Sequence, residues 1–207
     1  MEGFIAGVLD FIGSHPGWVF LAMFIASFGE SLVFVSLVFP GTALLLAAGT
    51  MVPSGRLSIW PLLIGAVLGA VLGDGVSYAL GRHFGRRIEG LWPFRRRPEL
   101  VAGGVAYFKR HGGKSVFIGR FFGPLRAVVP LAAGILRMKP RDFWLANMVS
   151  ALIWAPAVLL PSALVGETVG RFVGGERMLP IAVLILIVLG IAGLWGPLSR
   201  ARRQQDR

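Results

Sequence analysis

The run Gly119–Gly134, GRFFGPLRAVVPLAAG, limits what this chain can fold into more than any other stretch. It is apolar enough for a bilayer, yet it contains Arg120 and Arg126, a Gly123–Pro124 break and a second proline at Pro130. A charged residue at bilayer depth costs roughly 3 kcal/mol on insertion scales. Two guanidinium groups beside helix breakers are therefore not lipid-facing decoration. The economical arrangement is a broken, re-entrant helical hairpin over residues 116–136, lining a polar cavity with both arginines turned toward an anion.

The rest of the chain puts that run in a membrane. Of 207 residues 55% are hydrophobic and 15% charged, with a mean hydropathy of +0.73. Such figures exclude an ordinary soluble domain and predict an all-α polytopic membrane protein of one domain, 1–207. Its 29 glycines lie mostly inside apolar runs, where they favour close helix packing. Cysteine is absent, which removes disulfides, thiolate metal sites and thiol nucleophiles from consideration. The formal charge of +11 falls largely between apolar segments. Membrane topology and anionic headgroups explain it better than nucleic acid does. The N-terminal MEGFIAGVLDF lacks a basic region before its apolar stretch, so no cleaved signal peptide is expected.

Residues 1–14 read as a short interfacial helix, and a first spanning segment runs from near Phe11 or Gly17 to Phe28. Glu30 then opens an apolar run divided by Pro40–Gly41, read either as one kinked helix or as a re-entrant hairpin over 30–50. Ile59–Leu80 reads as a long spanning helix with Gly65, Gly69, Gly73 and Ser77 recurring every fourth residue, one smooth stripe for a partner helix. Asp74 lies inside it, either a functional acid or a structural salt-bridge partner. The basic segment 82–114 interleaves arginines and lysines with aromatics, as a surface-lying amphipathic helix would. Phe143–Leu164 reads as a helix interrupted by Pro156 and Pro161, with Asn147 and Ser150 as interior polar residues. Gly166–Arg177 reads as a mixed-charge loop, and 179–198 is long and apolar enough to span ~30 Å of hydrocarbon. His15, His83 and His111 share no ligand spacing, and no metal site or cofactor is expected.

Charge distribution orients these pieces. If 116–136 returns to its own side, the cations of 82–114, 137–141 and the C-terminal tail share one face, leaving Arg56, Arg171 and Arg177 opposite. A spanning segment would scatter them, so the positive-inside rule favours the hairpin and a cytoplasmic C-terminus. Leu46–Gly49 (LAAG) also recurs as Leu131–Gly134, and the same offset carries Ser77 to Ser162 and Gly81 to Gly166. The halves 11–81 and 115–166 then form an inverted repeat, the plan of secondary transporters whose sites lie near the midplane.

Glu30 followed by FPG, GDGVSYALGRHFG at 73–85, and GRFFGPLRAVVPLAAG followed by Met138, Phe143, Asn147 and Trp154 together resemble the DedA family, whose eukaryotic relatives are the VTT-domain or SNARE-associated proteins. The resemblance covers about residues 25–166. It implies two opposed re-entrant hairpins and lipid translocation in the bacterial inner membrane, notably of undecaprenyl phosphate; the eukaryotic relatives scramble phospholipids. The family's paired arginines fall on Arg120 and Arg126, and its first hairpin acid on Glu30. Its second acid, after Pro-Gly, is replaced here by Thr42, and a frequent threonine by Ala127.

These readings make Arg120, Arg126 and Glu30 the expected substrate site. Thr42, Asp74 and Asn147 are candidates for gating or coupling, and Pro40, Gly41, Gly123 and Pro124 for the hairpin breaks. A planar guanidinium suits phosphate because it donates two parallel hydrogen bonds and stays charged. The structural alternative has both arginines pairing with Glu30 and Asp74 only to hold the hairpins together. Enzymatic readings lack a histidine base in a hairpin and clustered metal ligands. Proton-coupled transport of a small ion or solute, and general phospholipid scrambling, are the rival readings. Membrane lipids and a polyprenyl phosphate are the expected partners, without nucleic acid; a homo-oligomer is left open.

Overall fold

The computed structural model describes residues 2–36, 40–90, 95, 98–121 and 123–173, nearly all of them helix or turn and none of them strand. Its helices are α1 (Glu2–Ser14), α2 (Val19–Ser31), α3 (Gly41–Thr50), α4 (Ile59–Phe84), α5 (Pro98–His111), α6 (Lys114–Gly119), α7 (Gly123–Ile135) and α8 (Pro140–Val173). The apolar segment 179–198 and the basic tail lie outside the described residues.

Among the described residues, two helices are long and apolar enough to cross a membrane: α4, and α8 over Pro140–Thr168. The first spanning segment expected from the sequence is shorter than that. α1 stops at Ser14, a 3-10 turn occupies Pro16–Trp18, and α2 has 13 residues, about 20 Å at 1.5 Å per residue. Pro16 supplies no N–H to continue α1, while His15 folds back to stack on Phe11 with ring centroids 4.8 Å apart. The opposite difference occurs in α8, which runs through both Pro156 and Pro161 to Val173. Those prolines do not interrupt it, and residues 166–173 extend the helix rather than forming a loop.

The glycine stripe of α4 is where α2 docks. A Cβ at Gly65 would strike the Phe20 carbonyl, one at Gly69 the Phe24 carbonyl, and one at Gly73 the Phe28 carbonyl. Ser77 completes the series by donating to Ser31 O (3.1 Å) and accepting from Val33 N (3.0 Å). Backbone thus lies on backbone for three helical turns. Gly69→Leu should therefore separate the helices and lower the thermal midpoint of detergent-solubilised protein by the equivalent of about 1–3 kcal/mol or more. Gly103→Ala, in the open on α5, should be neutral or slightly stabilising. Equal midpoints for both variants would remove the glycines from the packing argument.

Two short helices sit inside this frame. α7 packs on α4 through facing glycines: a Cβ at Gly134 would meet Tyr78 O, and one at Gly81 would meet Leu131 O. α3 packs on α8 in the same manner, with Gly49 against the Ser162 hydroxyl and Gly166 against Thr50 O. The glycines of one contact are those of the other displaced by 85 residues. Both short helices are largely buried, Leu131, Ala132 and Ala133 completely. α7 ends in a Schellman closure, with Met138 N bonding Ala133 O (2.9 Å) and Arg137 N bonding Gly134 O (3.0 Å). Arg137 takes the left-handed position at φ 54° that glycine usually fills.

Candidate functional site

Both arginines of the 119–134 run are buried, but they belong to different ion pairs. Arg120 lies in the turn between α6 and α7, and its Nη2 donates to Asp74 Oδ2 of α4 and to Asn147 Oδ1 of α8. Its Nε donates to Ser150 Oγ at 2.9 Å. The two α8 side chains are themselves held: Asn147 Nδ2 donates to Val71 O (3.0 Å) and Ser150 Oγ to Asn147 O (2.9 Å). The side chains of Arg120 and Asp74 are 2% and 4% exposed, which makes this the drier pair.

Arg126, in the first turns of α7, reaches the other half of the chain. Its Nη1 donates to Glu30 Oε1 (2.9 Å) and to Thr42 Oγ1 (3.2 Å). Thr42 Oγ1 in turn donates to Glu30 Oε1. The guanidinium lies over the Trp154 ring of α8, with Cζ 4.3 Å from the centroid, a cation–π contact. Gly41 is required at the start of α3, because a Cβ there would meet Glu30 Oε2 at 2.6 Å and Glu30 Cβ at 2.8 Å. The Glu30 side chain is 15% exposed, against 8% for Arg126. This second pair is the less completely buried of the two. Arg126 also lies within electrostatic reach of both members of the first pair.

What remains unsatisfied defines what the site can do. Among the described residues, Arg126 Nε and Nη2, Arg120 Nη1, Glu30 Oε2 and Asp74 Oδ1 are buried without a hydrogen-bond partner. Each such group costs about 1–3 kcal/mol, more when charged. In native interiors such groups are completed by ordered water, an ion or a ligand, or are kept for function. Arg126 Nε and Nη2 form one edge of the guanidinium fork, whose two parallel N–H groups match a pair of phosphate or carboxylate oxygens. Arg120, by contrast, has committed all but Nη1 to the protein.

The sequence-derived residues thus gather around two linked centres. Glu30, Thr42 and Arg126 form one; Asp74, Arg120 and Asn147 the other. Pro40 immediately precedes α3, and Gly123 and Pro124 open α7, so each break lies beside an arginine or its acid. The sequence did not reveal which acid serves which arginine, nor that Thr42 bridges Glu30 and Arg126. The i, i+3 spacing of Asn147 and Ser150, and Trp154 one turn further, was the available signal for the α8 wall.

The fold and site define a helical protein with two bilayer-length apolar helices among the described residues and a buried, incompletely satisfied arginine–carboxylate centre between short broken helices. A family model of the VTT domain matches residues 39–164, and the chain belongs to that family, the DedA family. It is 29% identical over 202 residues to the inner membrane protein YabI of Escherichia coli strain K12, covering 95% of this chain and 79% of that one. It is 25% identical over 185 residues to the protein DedA of the same organism, covering 87% and 83% respectively. An uncharacterized membrane protein of Mycobacterium bovis is 32% identical over 158 residues, 73% of this chain and 72% of its own. No solved structure matches the chain.

Proposed function

We propose that this protein translocates a phosphate-bearing lipid, with undecaprenyl phosphate the leading substrate, across the bacterial inner membrane, and that it is a transporter rather than an enzyme. The observation that carries the proposal is the free Nε/Nη2 edge of Arg126 inside the protein. A phosphate monoester fits the whole unsatisfied set better than a diester. It offers oxygens to three N–H donors and, with a second ionisation near pH 6, a proton for Glu30 Oε2 or Asp74 Oδ1. The same argument favours a polyprenyl phosphate over a general phospholipid scramblase substrate. A lipid tail can stay in the bilayer while only the headgroup crosses the polar centre.

The architecture suits that task if residues 30–50 and 116–136 form opposed re-entrant hairpins of an inverted repeat. In support, α3 has 10 residues and α7 has 13, too few for ~30 Å of hydrocarbon. Both are surrounded by protein, as non-spanning helices at membrane depth must be. Multi-pass insertion with a cytoplasmic C-terminus follows from the cation distribution. Membrane lipids are then the partners.

The second reading, proton-coupled transport of a small ion or solute, draws on the free carboxylate oxygens. Reconstitution decides between them. Proteoliposomes should move labelled polyprenyl phosphate between leaflets with no accompanying small-ion flux; ion flux without lipid movement would overturn the proposal.

Thr42 bears on the coupling. An acid introduced there would stand directly against Glu30, to which Thr42 is hydrogen-bonded, and two such carboxylates relieve their repulsion by sharing a proton. Wild type should therefore depend weakly on an imposed pH gradient, and Thr42→Asp strongly. Strong gradient dependence in wild type that disappears in Glu30→Gln would reverse this assignment and make Glu30 the proton carrier rather than a gate or counter-ion.

A further inference from the structure

A second lipid-binding feature lies away from the arginine centre, on the outer face of α8. The turn into that helix carries Lys139 and Arg141, both exposed, and neither side chain has an ion-pair partner among the described residues. Below them a groove of about 800 Å³ runs along Leu145, Met148, Val149 and Leu152, with Trp144 at its upper rim. These apolar residues are 42–69% exposed, and their spacing places them in one stripe directly beneath Arg141. From Arg141 to Leu152 the helix rises about 16 Å. That is close to half of the ~30 Å hydrocarbon thickness, the depth of a single leaflet.

Cations at the head, an indole at the boundary and an apolar trough one leaflet deep have the dimensions of one phospholipid. We propose that this face binds an anionic phospholipid, its phosphate between Lys139 and Arg141 and one acyl chain along Leu145–Leu152. Asp142 also lines the mouth, so the local balance is two cations against one acid, and the preference is for an anionic over a zwitterionic headgroup rather than for a multivalent one. The site assumes the membrane setting but not the transported substrate.

Its position has a consequence for the buried centre. The Trp144 ring covers Gly75 of α4, where a Cβ would collide with Cη2. Gly75 follows Asp74, the partner of Arg120. A chain packed against Trp144 therefore buttresses the α4–α8 contact on which Asn147 and Ser150 depend.

The full-length protein in nanodiscs provides the test, with its freedom from cysteine allowing a single spin label at Met148→Cys. Phosphatidylglycerol and phosphatidylcholine with matched chains, each carrying a chain-borne relaxation agent, are the probes. A net charge of one at about 1 kcal/mol predicts roughly a fivefold preference for phosphatidylglycerol at the label. Lys139→Gln/Arg141→Gln should reduce it to near unity while leaving the thermal midpoint in phosphatidylcholine unchanged. Glycerol phosphate should not compete, because the apolar groove supplies the anchoring. Equal contact by both lipids in wild type would mean ordinary boundary lipid and overturn the proposal. So would a preference that survives in the double variant, displacement by glycerol phosphate, or a label shielded from both lipids by another part of the chain or a second copy.

Discussion

Asp74→Ala is expected to remove most of the detergent-stable, monodisperse protein, whereas Asp74→Asn combined with Arg120→Gln should restore more than half of it. The single change strips the carboxylate from a guanidinium that is 2% exposed and otherwise bonded to Asn147 and Ser150. An uncompensated buried charge costs about 3–5 kcal/mol, a large share of the 5–15 kcal/mol that separates native from unfolded chains. The paired amides remove both charges together, so no charge is left buried without its partner. A double-mutant cycle on thermal midpoints should therefore show strong coupling. Simple additivity would mean that the contact contributes nothing specific. The rescued variant also separates roles. If it folds yet moves no lipid, the Asp74–Arg120 pair takes part in transport; full transport would assign the pair to architecture alone.

Much of the packing was legible because glycine leaves a mark in sequence that follows directly from geometry. Gly65, Gly69, Gly73 and Ser77 fall on one face of any α-helix, and a face without side chains admits a backbone; α2 supplies it. The LAAG echo was similarly legible, and Gly49 and Gly134 each mark a close helix contact. The boundaries were harder. Pro156 and Pro161 read as interruptions, but a proline lacks only one N–H and strains only the preceding turn, and α8 absorbs both. Pro16, beside a histidine that folds back, ends a helix instead. The residue type is the same and the outcome differs, because continuation depends on what the neighbouring turns pack against.

The site was legible in its inventory and not in its wiring. Buried arginines in an apolar run demand acids, and Glu30 and Asp74 were the acids inside apolar runs. Nothing in one dimension says that Arg120, six residues before Arg126 and across a helix break, turns to α4 while Arg126 turns to α2 and α3. That assignment follows from α7 packing on α4 through Gly81 and Gly134, which fixes the direction each guanidinium can take. The pairing also makes the two arginines unequal, which their shared motif does not suggest. Arg120 is built into the protein on three sides, and Arg126 keeps an edge free.

That inequality yields the largest functional effect expected here. Arg126→Lys should reduce polyprenyl phosphate transport by about 10- to 100-fold, nearly as much as Arg126→Ala, while Arg120→Lys should act chiefly by lowering stability. A lysine ammonium can still pair with Glu30 and keeps the positive charge. It cannot present two parallel N–H groups in a plane, nor place a delocalised planar cation over Trp154, where the guanidinium Cζ sits 4.3 Å from the ring centroid. A charge-assisted hydrogen bond contributes about 1.5–3 kcal/mol, and losing one of two at the headgroup gives roughly the stated range of rates. The measurement is lipid movement in proteoliposomes at matched protein incorporation, with thermal midpoints recorded for each variant. Wild-type rates from a stably folded Arg126→Lys protein would show that a positive field suffices, and the reading of the free Nε/Nη2 edge as a phosphate clamp would be wrong. A lysine variant as impaired as alanine, with an unchanged midpoint, would place the substrate phosphate on that edge.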